Sequence, residues 1–100
     1  MEDGGPPLLT ALSYAASKGY TAIVEMLLKQ GSHVNARASD GSTALMWAAK
    51  HSHPETARAL LIGGADPRAI DKAGKTALDY ATMKQDAEVA ALLEKALSSR

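Results

Sequence analysis

Thr43-Ala44-Leu45-Met46-Trp47-Ala48-Ala49, in the middle of the chain, has counterparts on both sides. Thr10-Ala11-Leu12 begins 33 residues before it, and Thr76-Ala77-Leu78 begins 33 residues after it. The same offset relates Tyr14, Trp47 and Tyr80; Ala15, Ala48 and Ala81; and Leu27, Leu60 and Leu93. Gly31 pairs with Gly64, and Gly41 with Gly74. So many matches in one register, with no insertion, define an internal repeat. The units run at about 5–37, 38–70 and 71–100, and the last is three residues short. They form one domain at 8–97, between a tail at 1–7 and another at 98–100.

Each unit reads as two short helices. In the middle unit Thr43 caps a helix from Ala44 to about His51, with Leu45, Ala48 and Ala49 on one face. Ser52-His53-Pro54 breaks it, and Pro54 opens a second helix that runs to about Ile62 with Ala57, Leu60 and Leu61 inward. Gly63-Gly64 is expected to end that helix in a left-handed backbone. The first unit predicts a helix from about Ala11 to Lys18, a break at Gly19-Tyr20, and a second helix running to Gln30 before Gly31. The third predicts helices at Ala77–Lys84 and Ala87–Leu97, with Asp86 as the N-cap of the latter. One such unit cannot bury its apolar face, but stacked units can. The expected fold class is all-α: a solenoid of three helix–turn–helix units with projecting turn loops.

Composition agrees. The chain has 100 residues, with 20 Ala and 12 Leu against three Ile, three Val and no Phe. That balance favours helices, and the alanines favour close helix packing. Eleven basic and eleven acidic residues give a formal net charge of zero. Bulk electrostatics therefore supply no nucleic-acid binding and no polybasic membrane tether. The absence of Cys excludes disulfides, a thiol nucleophile and cysteine-ligated metal. No apolar run approaches the roughly 18 residues of a membrane span. The acidic start, Met1-Glu2-Asp3-Gly4-Gly5-Pro6-Pro7, lacks a signal-peptide core. The expectation is a free-standing, monomeric, intracellular chain, cytoplasmic or nuclear.

At this point the sequence resembles the ankyrin repeat family. The family pattern D-x-x-G-x-T-P-L-H-x-A-A, then G-H, L-L and G-A-D-V-N, is matched by Asp40-Gly41-Ser42-Thr43-Ala44-Leu45-Met46-Trp47-Ala48-Ala49, Leu60-Leu61 and Gly64-Ala65-Asp66-Pro67. It is matched again by Gly31-Ser32-His33-Val34-Asn35-Ala36 and by Asp71-Lys72-Ala73-Gly74-Lys75-Thr76-Ala77-Leu78-Asp79-Tyr80-Ala81. The departures are Ala for the family Pro at 11, 44 and 77, and Ser13, Met46 and Asp79 where the family has its bracing His. They predict a marginally stable stack. Gly5-Pro6-Pro7-Leu8 in place of the first turn suits a capping unit.

Little looks catalytic, and no catalytic residue, cofactor or metal is expected. Gly4-Gly5 and Gly63-Gly64 are not a phosphate loop. His51-Ser52-His53 has a metal-like spacing without an evident third ligand. What remains is a surface. Three of the four aromatics share one repeat position, Tyr14, Trp47 and Tyr80; Lys18, His51 and Lys84 follow one helical turn later. The resemblance implies a non-enzymatic module that binds another protein through the concave face of first helices and loop tips. The candidate contacts are Tyr14, Lys18, Ser39, Asp40, Ser42, Met46, Trp47, Lys50, His51, Lys72, Lys75, Tyr80, Met83 and Lys84. Trp47 and Tyr80 are the expected anchors, and Met46 and Met83 are expected to add soft contact area. The alternatives are an intramolecular regulatory segment of a larger protein, or an engineered binding scaffold.

Overall fold

Six helices fill the stretch that the computed structural model describes, residues 9–98. They are α1 (Ala11–Lys18), α2 (Thr21–Lys29), α3 (Ala44–Lys50), α4 (Pro54–Ile62), α5 (Ala77–Met83) and α6 (Ala87–Ser98). No strand occurs among the described residues. The expected tail at 1–7, the capping segment Gly5–Leu8 and the last two residues lie outside them. The first helices α1, α3 and α5 pack side by side as one layer, and α2, α4 and α6 form the other. No helix among the described residues is long and apolar enough to cross a membrane.

The caps work as the sequence predicts. Thr10, Thr43 and Thr76 each accept the backbone N–H three residues on, from Ser13, Met46 and Asp79. Asp79 returns the bond to the N–H of Thr76, which closes a capping box. Asp86 accepts from Glu88 and Val89 at 3.1 Å each. Between the layers lies a core of alanines with Leu12, Val24, Leu45, Met46, Leu60, Val89 and Leu93.

Two glycines close the gaps between units. A Cβ on Gly19 would stand 2.6 Å from His53 Nδ1, so the ring of the second unit rests on the backbone of the first. His53 Nε2 lies 3.1 Å from the Ser17 carbonyl and completes that contact. The left-handed backbone expected at Gly63-Gly64 is present, but Gly63 is not the residue that adopts it. Its φ is −79°, and only Gly64 is positive, at 99°. Gly63 is needed instead for space, since a Cβ would come within 2.8 Å of the Leu28 side chain.

The position of Gly19 recurs as Ser52 and Gln85, and all three are left-handed, with φ of 73°, 59° and 58°. A side chain there costs roughly 1–2 kcal/mol, partly offset by the lower chain entropy of the non-glycine residue when unfolded. Ser52→Gly and Gln85→Gly should therefore each stabilise the stack by about 0.5–1 kcal/mol, raising Tm together by roughly 5–10 °C. Thermal unfolding followed by circular dichroism checks this, and an unchanged Tm refutes it.

The two ends of the stack differ. In the second and third units the position of Ile23 is filled by Thr56 and Val89, which are 1% and 0% exposed against the preceding unit. Ile23 itself is 43% exposed, and Tyr20 beside it is also open. At the other end Thr82 and Glu94 are exposed where the earlier units place buried Ala16 and Ala49 and half-buried Leu28 and Leu61. The last unit thus carries a polar outer side, as a terminal repeat requires.

Loop tips project between the units. Gly41 and Gly74 close β-turns onto Ala38 and Asp71, each with a 2.9 Å bond. The N–H of Lys72 donates to the Asp40 carbonyl at 3.0 Å and joins one tip to the next.

Candidate functional site

The aromatic positions lie on the exposed side of the first-helix layer, just past the Thr caps. Tyr14 is exposed, while Trp47 and Tyr80 are half-buried and pack against the core cluster. The polar edges of the latter two are tied to the loop tips. Trp47 Nε1 donates to Ser42 Oγ at 2.7 Å, and Ser42 Oγ donates in turn to Asp40 Oδ1 at 2.5 Å. The Tyr80 hydroxyl donates directly to Asp71 Oδ2. Asp71 Oδ1 accepts the N–H groups of Ala73 at 2.9 Å and Lys75 at 3.0 Å. Each ring is therefore held at both ends, by the core beneath and by a loop-tip carboxylate.

Lys50 joins the two rings. Its Nζ lies 4.2 Å from the Trp47 centroid and 4.8 Å from the Tyr80 centroid, between side chains of adjacent units. Such contacts contribute from about 0.5 kcal/mol when exposed to about 2 kcal/mol when desolvated. His51 stacks on Trp47 with centroids 5.8 Å apart and planes 11° apart, and His53 stacks behind it at 6.5 Å. Lys18 stands over Tyr14 at 5.6 Å.

Electrostatics follow from this crowding. Burial lowers the His51 pKa below its ordinary value, and His53, Lys84, Lys50 and Lys18 push it further the same way. Cations from α1 and from the end of α5 thus converge on a ring at the end of α3. Burial pushes the Asp71 carboxyl up, but the Tyr80 hydroxyl and the Lys75 and Ala73 amides outweigh it, and its pKa falls below the usual carboxylate value. Burial and the Asp71 carboxylate push Tyr80 up to about 12. That phenol stays a donor at neutral pH.

Two candidate contacts are corrected. Ser42 has 0% of its surface exposed and Met46 1%, so neither can meet a partner. Met46 stands three residues past its cap, on the side of the helix that faces the interior, and Ser13 at the same register position is buried too. Ser42 acts from below, as the link between Asp40 and the Trp47 ring. The other candidates reach the surface. Lys18, Ser39, His51, Lys72, Met83 and Lys84 are exposed, and Asp40, Lys50 and Lys75 are half-buried. The loop-tip lysines 72 and 75 belong to the turns, whereas Lys50 meets both rings.

Sequence reasoning missed the grip of Lys50 on both rings, because its register partners are Ser17 and Met83 and carry no charge. It missed the Asp71–Tyr80 bond as well, since a separation of nine positions obeys no helical or strand spacing. The His51-Ser52-His53 spacing resolves into ring stacking, with His53 engaged by Ser17 and Gly19. No group of three or more His, Cys, Asp or Glu side chains able to hold a metal occurs among the described residues.

A family profile described as ankyrin repeats, in three copies, matches residues 12–98. No curated protein matches the chain.

Proposed function

The chain belongs to the ankyrin-repeat family, and from that premise we propose that it binds a partner protein through the concave face made by α1, α3, α5 and the loop tips. Ankyrin repeats are generally protein–protein interaction modules and generally non-enzymatic. The observation that carries the finer reading is the ring pair Trp47 and Tyr80, half-exposed, clamped around Lys50 and tethered to Ser42 and Asp71. Side chains fixed before binding avoid an ordering cost of about 0.5–1.5 kcal/mol each. Large aromatic groups at the centre of a contact are also the commonest anchors of binding energy. Lys18, Lys50, His51, Lys75 and Lys84 form the polar rim, and Met83 extends the contact area.

The test is crosslinking capture with mass spectrometry, comparing the wild type with Trp47→Ala/Tyr80→Ala. Circular dichroism confirms that the variant keeps its helices. The expected result is a partner held by the wild type and lost, by at least tenfold in recovery, from the folded variant. Equal recovery would place binding elsewhere.

The open side of the first unit favours a second reading, in which the repeats dock on the remainder of a longer polypeptide. Its mark would be a contact abolished by Ile23→Lys and indifferent to the Trp47→Ala/Tyr80→Ala change.

A further inference from the structure

The ligand of the proposed concave face can be narrowed by charge and spacing. Lys18, His51 and Lys84 occupy one register position on three neighbouring units, and all three are exposed. Lys50 lies alongside, between the rings. The chain as a whole is neutral, so basic side chains at one register position on all three units are a local excess. The carboxylates of the loop tips and of the start of α5 are held by local donors. Asp40 accepts from Ser42, Asp71 from Tyr80, Ala73 and Lys75, and Asp79 from the Thr76 N–H. Among the described residues Lys18 and Lys84 form no ion pair with a carboxylate.

A bland account exists: cations suit helix C-termini, where these residues stand. A helix end carries only about half a negative charge, and its effect fades within the last turn. That is too little to neutralise a full ammonium charge at the end of a long, exposed side chain. It also does not explain why His51, between two lysines, has Trp47, His53 and lysines about it and no carboxylate.

Spacing selects the form of the ligand. Packed helices lie roughly 8–10 Å apart, so α1, α3 and α5 present these basic side chains at about that interval, with the imidazole between the two lysines. A polyproline II strand rises about 3.1 Å per residue with three residues per turn. Every third side chain then falls on one side at nearly the helix spacing.

We propose that this face recognises an extended, acidic peptide segment of a partner protein, with Asp or Glu at every third residue meeting Lys18, His51 and Lys84 over the Trp47–Tyr80 pair. The inference rests on the concave-face reading above.

The experiment uses the full chain and two fluorescein-labelled peptides, (Glu-Pro-Ala)4 and (Gln-Pro-Ala)4, followed by anisotropy. The glutamate peptide should bind at least tenfold more tightly than the glutamine peptide. Lys18→Gln/Lys84→Gln should lose at least tenfold of that affinity with an unchanged Tm, and Trp47→Ala/Tyr80→Ala, assayed below its own lower Tm, should lose as much. Affinity should also weaken severalfold between 50 and 200 mM salt, where screening shortens the reach of surface charge. Equal binding of the two peptides, or full affinity in the lysine variant, overturns the inference. So does a DNA duplex or an anionic phosphatidylserine vesicle that binds more tightly than the glutamate peptide through Lys18 and Lys84. A displayed-peptide selection separates the two readings. Neutral binders that are lost from Trp47→Ala/Tyr80→Ala would sink the acidic ligand and leave the concave face standing. Binders indifferent to both variants would remove both.

Discussion

Leu60→Ala should lower the unfolding free energy by about 3–4 kcal/mol, the largest change expected from a single side chain here. Leu60 has none of its surface exposed. It sits on α4, which packs on α2, α3 and α6 at once, and it belongs to the core cluster that runs through all three units. Truncation forfeits the transfer free energy and leaves a cavity that three short helix pairs cannot close. Small domains hold roughly 5–15 kcal/mol in all, and a stack of three units, near the minimum, belongs at the low end. Much of the chain should then be unfolded near 37 °C. Urea titration by circular dichroism measures the loss, with Ile62→Ala as control. Ile62 is 81% exposed, so its truncation should change stability by less than about 0.5 kcal/mol. A loss below 1 kcal/mol for Leu60→Ala would mean that the units are not coupled through this residue.

Asp71→Ala should cost about 2–3 kcal/mol. The carboxylate is buried, and it alone accepts the Tyr80 hydroxyl and two turn amides. Removing it leaves those donors without a partner and frees the Tyr80 ring. The pH dependence carries the same signature. Because the folded Asp71 pKa is lowered, its stabilisation is full above the unfolded value of about 3.8 and drains away as pH falls through the folded value. Because the folded Tyr80 pKa is raised, its stabilisation is full below 10 and is lost as pH rises toward about 12. Stability curves against pH should therefore lose part of their acid limb in Asp71→Ala and part of their alkaline limb in Tyr80→Phe. Tyr80 ionisation, followed by ultraviolet absorbance, should move back toward 10 in Asp71→Ala. If it stays near 12, the carboxylate is not what holds the proton.

The sequence was legible wherever one residue's role depends on near neighbours along the chain. Thr43 caps because its acceptor lies within reach of an N–H three residues on, and Pro54 starts α4 because the first helical position needs no N–H of the kind proline lacks. Helix limits followed to within one residue or so in α1, α4 and α6. The 33-residue period fixed which positions repeat, and hence the stack, the aromatic row and the cation row.

Register says which residues are equivalent, but it does not say which way an equivalent position faces once a second unit lies against it. Met46 and Ser42 read as surface contacts, and packing put both inside. Ile23 shares its position with buried Thr56 and Val89, yet stands open because no described unit precedes it. Gly63 seemed to serve a turn and serves instead the approach of Leu28 from the unit before. The bond from Tyr80 to Asp71 and the grip of Lys50 on two rings join residues that only the turn geometry and the pitch of the stack bring together. The sequence alone thus determined the repeat, its helices and its caps, since these follow from hydrogen bonds and periodicity within about four residues. Tertiary structure decided which side chains are buried and which polar groups find each other, because these depend on the fold of the turns and on a neighbouring unit some 33 positions away.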